Sequence, residues 1–156
     1  QYAEFFSDAN MGAAPSLRLT IVACMDVRVN VLELLGLQNG EAHILRNAGG
    51  VITDDVIRSL CLSQRLLGTQ EIILLHHTDC GLQKVNESDF KADLESEHGF
   101  APSWPLGGFD DPYIDTAQSM QRLVDNVFVE TNFLRGFVYD VTDGRIKEVA
   151  QAQTSE

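Results

Sequence analysis

Thiol, imidazole and carboxylate side chains follow two apolar segments of this sequence. Cys24 and Asp26 come at the end of the run "LRLTIVACM", and His77 and Cys80 stand in an H-x-x-C arrangement after "QEIILL". Two cysteines and one histidine form a familiar catalytic zinc shell, which leaves one tetrahedral position for water or substrate. Either cysteine alone is more typical of a small buried side chain. Taken together at the strand ends, they predict one zinc ion per subunit.

Asp26 and Arg28 carry opposite charges two residues apart in "CMDVR". On extended backbone they face the same side and can form a carboxylate–guanidinium pair beside Cys24. In the functional interpretation, Arg28 keeps Asp26 ionised, and Asp26 accepts a hydrogen bond from a zinc-bound hydroxide. Two alternatives stay open: a purely structural ion pair, and a closed site in which Asp26 is the fourth zinc ligand.

Two neighbours of the H-x-x-C segment are interpreted as supporting residues. His76 and His77 point to opposite sides of an extended backbone, so His76 is expected to pack beside the site or to support a ligand. Asp79 is interpreted as a solvated turn residue.

Segments of strand length alternate with helical segments along the chain. We predict buried strands at 17–25, 41–47 and 70–77, and helices that end at Gly36, extend from Thr53 to Gly68, and cover 89–98 and 114–129. A last hairpin turns at Asp143-Gly144. This order predicts an α/β fold: a mostly parallel central β-sheet flanked by helices, with an antiparallel edge strand. Ligand sites in such sheets lie beyond the carboxyl ends of the strands, where both polar clusters stand.

Composition narrows the class of protein. The 156 residues fit a single domain, 1–156, and 23 acidic against 11 basic residues give a net charge of -12. That charge repels nucleic acid and anionic membrane surfaces, and no apolar run approaches the roughly 20 residues that span a bilayer. Three widely spaced cysteines indicate reduced thiols. We expect a cytoplasmic protein with a small-molecule substrate and neither nucleic-acid nor membrane partners; a leader removed before Gln1 is left open.

Three motifs, in this order, resemble the β-class carbonic anhydrases: "CMDVR", "RNAGG" at 46–50 and "HTDCG". The likeness extends from about Leu17 to Gly81. It implies a zinc enzyme on an α/β sheet, a homodimer or homotetramer, with the pocket at the dimer interface. Carried over by position, it implies three zinc ligands, Cys24, His77 and Cys80, and a catalytic dyad, Asp26 and Arg28. The residues it implies for the substrate pocket are Asn47, Ala48, Gly49 and Gly81.

The resemblance implies reversible hydration of carbon dioxide to bicarbonate. The sequence departs from the common family pattern at Val27, where serine is usual, and at His76-His77-Thr78, where Gly-His-Ser is usual. A subgroup with the HHT-x-CG form includes both carbonic anhydrases and carbonyl sulfide hydrolases, so hydrolysis of carbonyl sulfide is the alternative within the family. A non-catalytic zinc-binding protein, with Asp26 fixed on the metal, is the alternative from another class. A thiol redox enzyme ranks last because there is no C-x-x-C pair.

Overall fold

The structure, a computed structural model, describes residues 10–150. Strands and helices alternate along this part of the chain. Their bounds are β1 Leu19–Cys24, α1 Val31–Leu35, β2 Ala42–Asn47, α2 Asp54–Leu67, β3 Glu71–His77, α3 Glu87–His98, α4 Pro112–Val124, β4 Phe133–Tyr139 and β5 Ile146–Val149. Short 3-10 turns follow β2 at Ala48–Gly50 and occupy Gly81–Gln83.

All five strands form one sheet in the order β2-β1-β3-β4-β5. The first four strands of this order are parallel, and β5 pairs antiparallel with β4. The predicted fold class is confirmed. No helix in the described part of the chain is long and apolar enough to cross a membrane.

Local sequence signals explain where the helices begin and end. The Thr53 side chain accepts a hydrogen bond from Val56 N, as an N-cap does, and α2 ends at Gly68 with φ 71°. α4 begins at Pro112, two residues before the predicted start, because the Asp111 side chain caps it and proline is favoured in the first turn.

Helix α3 lies on the surface. It occupies the predicted segment, and Asn86 caps its first turn, but none of its residues is buried. The predicted helix is therefore present, but the prediction that it is amphipathic, with one side facing the core, is wrong. Its acidic residues and its exposed Phe90 leave it without the apolar stripe that such a face requires.

The core lies on both faces of the sheet and fixes the central strands. One cluster joins β1 and β3 to α2 and α4 and includes Val22, Leu60, Leu74 and Leu123. A second cluster lies on the opposite face, where α1 packs against the sheet. All six residues of β1 are buried, so the carboxyl end of this strand has a defined position.

Candidate metal centre

Two neighbouring strands deliver three potential metal ligands to one edge of the sheet. Cys24 is the last residue of β1, His77 is the last residue of β3, and Cys80 follows three residues later. The Sγ atoms of Cys24 and Cys80 are 3.9 Å apart, and the ligand atoms of all three buried residues lie within 4.8 Å of one another. The structure thus brings together the three residues proposed as ligands.

The donor set fits a zinc ion. Tetrahedral coordination with Zn–S bonds of about 2.3 Å requires a separation of about 3.8 Å between the two sulfurs, close to the one found. His77 Nδ1 lies 2.8 Å from the backbone oxygen of Thr78, which fixes the proton on Nδ1 and leaves the lone pair on Nε2. His77 Nε2 is buried and has no hydrogen-bond partner among the described residues. A metal ion would satisfy this atom.

The two thiols affect each other's ionisation. The hydrogen bond from Cys80 lowers the pKa of the Cys24 thiol, and the same contact raises the pKa of the Cys80 thiol. This contact therefore favours a thiolate at Cys24 and a protonated thiol at Cys80. A divalent cation would favour loss of the second proton, because a coordinating thiol is deprotonated.

The end of β2 fixes the backbone around Cys24. Arg46 Nε donates to the Cys24 oxygen at 2.9 Å, and Arg46 Nη2 donates to the Asp26 oxygen at 2.8 Å. Met25 N donates to the Asn47 oxygen at 2.8 Å. Sequence reasoning assigned no role to Arg46, although it opens the quoted motif "RNAGG".

Asp26 and Arg28 form the predicted pair, but not on extended backbone. Val29 N donates to the Asp26 oxygen and Arg28 N to Asp26 Oδ1, at 3.0 and 2.9 Å, so the two residues lie in a turn closed by the carboxylate. Arg28 Nε and Nη2 contact the two carboxylate oxygens at 3.0 and 2.8 Å. This guanidinium holds the pKa of Asp26 well below its usual range. Asp26 Oδ2 lies 3.8 Å from His77 Nε2.

Asp79 is not merely a solvated turn residue, and that interpretation is wrong. Its Oδ2 accepts a hydrogen bond from Arg28 Nη1 at 2.9 Å, and its Oδ1 binds Lys84 Nζ. Lys84 and Arg28 together lower the pKa of Asp79 to about 2. Its position between His77 and Cys80 was the only sequence signal for this role.

His76 packs beside the site, as expected, against a partner that the sequence did not reveal. It is fully buried, and its Nδ1 lies 3.2 Å from Asp115 Oδ2 on α4. Burial lowers the pKa of His76 to about 4 and raises the pKa of Asp115 to about 6. Neither ring nitrogen of His76 makes a hydrogen bond of good geometry with the described residues.

The four residues proposed for the substrate pocket lie on the two 3-10 turns and the end of β2. Asn47 pairs with Cys24 in the sheet register and donates from Nδ2 to the Val51 oxygen at 2.9 Å. Gly49 is buried, whereas Ala48 and Gly81 are exposed. None of the four lines the cavity of about 260 Å³ beside Asp115, which Val51, Thr53, Gly107, Gln118 and Arg122 help to enclose.

Comparison with known proteins gives consistent matches. A family model described as carbonic anhydrase matches residues 19–107, which include all three potential ligands. Beta-carbonic anhydrase 1 of Mycobacterium tuberculosis is 53% identical over 136 residues, 86% of this chain and 83% of that protein. The crystal structure of a carbonic anhydrase from Streptococcus mutans has a TM-score of 0.88 and 39% identity, covering 96% of this chain and 91% of that one.

A second kind of relative matches a shorter segment. A carbon disulfide hydrolase of Saccharolobus solfataricus is 57% identical over 65 residues, which is 42% of this chain and 32% of that protein.

Proposed function

We propose that this chain, which belongs to the β-class carbonic anhydrase family, catalyses the reversible hydration of carbon dioxide to bicarbonate with one zinc ion per subunit. The observation that carries the proposal is the buried cluster of Cys24, His77 and Cys80, in which His77 Nε2 has no hydrogen-bond partner among the described residues. Three protein ligands leave one tetrahedral position for catalysis, whereas structural zinc sites use four.

Asp26 and Arg28 would orient the nucleophile at a metal held by Cys24, His77 and Cys80. Bound zinc lowers the pKa of water from 15.7 to about 7, which makes hydroxide available at neutral pH. Asp26 stays ionised because Arg28 lowers its pKa. Asp26 Oδ2 can then accept a hydrogen bond from the attacking water, so that the water oxygen turns a lone pair toward the substrate carbon.

The position of Asp26 favours an enzyme over a non-catalytic zinc protein. In the non-catalytic alternative, Asp26 occupies the fourth position of the metal. Here both carboxylate oxygens of Asp26 accept hydrogen bonds from Arg28, at 3.0 and 2.8 Å. This arrangement supports a site whose fourth position is open to substrate.

Hydrolysis of a sulfur analogue, carbonyl sulfide or carbon disulfide, is the second candidate function. The 57% identity to a carbon disulfide hydrolase over 65 residues favours it. The carbonic anhydrase match extends over 136 residues and favours carbon dioxide. The same ligand set serves either reaction, because each begins with attack of hydroxide on the central carbon of a linear molecule.

Side-by-side assays of the purified zinc protein test these candidates. We expect carbon dioxide hydration, followed by stopped flow with a pH indicator, to exceed hydrogen sulfide release from carbonyl sulfide or carbon disulfide. Brisk sulfide release with negligible hydration would overturn the first candidate in favour of the second. Stoichiometric zinc without turnover of any of the three substrates would favour the non-catalytic alternative.

We also propose that the chain forms a homodimer or homotetramer. Within residues 10–150, β2 pairs with a strand on one side only. A groove of about 420 Å³ lies between β2 and α2, lined in part by Ile44, Leu45, Leu62 and Leu67. Size-exclusion chromatography with light scattering checks the assembly, and a monomer at micromolar concentration would contradict it.

The proposed location is the cytoplasm. Its support is that Cys24, Cys61 and Cys80 are all free thiols, as a reducing compartment keeps them. Cell fractionation with an antibody to the native protein tests this location.

A further inference from the structure

Arg28 connects the loops that follow β1 and β3, the two strands that end at Cys24 and His77. From the β1 loop, Asp26 accepts hydrogen bonds from Arg28 Nε and Nη2. From the β3 loop, Asp79 accepts one from Nη1 at its carboxylate, at 2.9 Å, and one from Nη2 at its backbone oxygen, at 3.0 Å. Four of the five N–H groups of the guanidinium are thereby used.

We propose that Asp79 is a positioning residue: it holds the Arg28 guanidinium in the orientation that binds Asp26, and so keeps Asp26 away from the open position of the metal. The inference rests on the proposed function only in taking that open position as the place where a small ligand binds. It assigns Asp79 no contact with substrate.

The backbone at Asp79 has a left-handed conformation. Asp79 and Arg18 are the two non-glycine residues with positive φ within residues 10–150, and Asp79 has φ 55°. Aspartate tolerates this left-handed conformation better than most residues. Because the conformation aims both the backbone oxygen and the carboxylate at Arg28, a single residue contacts two nitrogens of the guanidinium.

Asp26 lies close to the alternative position that the inference requires. Its Oδ2 is 2.8 Å from Arg28 Nη2 and 3.8 Å from His77 Nε2. A release of the carboxylate from Arg28 would therefore leave it beside the ligand cluster. A residue that fixes the orientation of Arg28 then favours the Asp26 position on Arg28 over the position near the ligand cluster.

The expected effect is modest, because Arg28 and Asp79 are 42% and 48% exposed. Contacts between exposed charges shift an equilibrium by less than about fivefold. We expect Asp79→Gly, which also relieves the positive φ, to weaken thiocyanate binding to the zinc protein by about twofold to fivefold. Thiocyanate is the probe because it binds the open metal position and competes there with a released Asp26 carboxylate.

A double-mutant cycle separates positioning from a general structural role. In the Asp26→Asn background no carboxylate competes for the metal, so Asp79→Gly should change thiocyanate affinity by less than about 1.5-fold. Asp79→Asn keeps the shape and one acceptor, and is expected to fall between wild type and Asp79→Gly. Lys84→Gln is the matched control, because Lys84 contacts the same carboxylate but has no hydrogen bond to Arg28.

A second measurement reports the mobility of the Arg28 side chain directly and requires neither a ligand nor turnover. The ¹⁵N order parameter of Arg28 Nε should fall in Asp79→Gly and stay near the wild-type value in Lys84→Gln. Equal thiocyanate affinity and equal Arg28 order in wild type and Asp79→Gly would overturn the inference. So would an equal loss in Lys84→Gln, or an equal loss in the Asp26→Asn background. Absent carbon dioxide hydration in wild type would instead count against the proposed function, since neither of these readouts depends on turnover.

Discussion

Gly50 provides the sharpest test of how the backbone holds Cys24. Gly50 has φ +68°, and a Cβ placed on it would lie 2.9 Å from Cys24 N and 3.0 Å from the carbonyl carbon of Ala23. Both neighbours are backbone atoms of a strand that is buried along its whole length. The contact cannot be relieved by rotating a side chain, so either the turn or the end of β1 must move.

Gly68 is a matched control for the conformational part of the effect. It has φ +71°, and a Cβ there would meet nothing within 4 Å. Gly68→Ala should therefore cost only the left-handed conformation, about 1 kcal/mol. Gly50→Ala carries the same cost plus a steric cost of about 1–3 kcal/mol. The difference between the two variants isolates the contact with Cys24.

Urea unfolding at a fixed zinc concentration measures both changes in the free energy of unfolding, and elemental analysis measures bound zinc. We expect Gly50→Ala to lose about 2–4 kcal/mol and to bind zinc more weakly, because Cys24 moves relative to His77 and Cys80. A loss within about 0.5 kcal/mol of that in Gly68→Ala, together with full zinc content, would refute the reasoning.

Three further predictions concern the site and its neighbours. Asp26→Asn is expected to keep zinc and to lose about 10²–10⁴-fold in carbon dioxide hydration, because an amide offers one acceptor oxygen where the carboxylate offers two; a normal stopped-flow rate contradicts the role of Asp26. Cys80→Ser is expected to lose the metal, since it replaces a thiolate ligand with a hydroxyl; stoichiometric zinc by elemental analysis contradicts this. In wild type, the pKa of His76 is lowered from 6.5 to about 4, so the unfolded chain binds a proton more readily at this residue and the fold loses stability as pH falls. The pKa of Asp115 is raised from 3.8 to about 6, so the folded chain binds a proton more readily there and the fold loses stability as pH rises. The two effects therefore oppose each other. Urea titrations should show that Asp115→Asn loses stability as pH falls from 6.5 to 4, and that His76→Gln loses stability as pH rises from 4 to 6. If the stability of both variants changed with pH in the same direction, the opposing effects of His76 and Asp115 would be contradicted.

The elements that the sequence predicted well are those whose signals are local. The strands β1 and β3 are nearly continuous apolar runs, and α2 has a capping threonine before it and a glycine after it. The grouping of Cys24, His77 and Cys80 followed from residue type together with position at the strand ends. Each of these signals lies within a few residues of the feature that it predicts.

The features that the sequence did not reveal depend on contacts between distant segments. Asp79 is 51 residues from Arg28, and which carboxylate a guanidinium reaches depends on how two loops meet above the sheet. The pairing of His76 with Asp115 likewise requires the packing of α4 on β3. The turn at Asp26 was missed for a different reason, since the spacing of two residues fits both an extended strand and a turn closed by the carboxylate.

Topology explains why the three potential metal ligands meet although β2 separates β1 from β3 in the chain. From β1 the chain crosses to β2 on one side and then returns to place β3 on the other, so β1 and β3 are neighbours where the strand order reverses. A crevice opens at the carboxyl ends of two such strands, and Cys24 and His77 stand at these ends. The ligand set thus depends on the sheet itself. We expect the choice between carbon dioxide and a sulfur analogue to depend instead on the loops above that crevice, which can change without disturbing the strand ends.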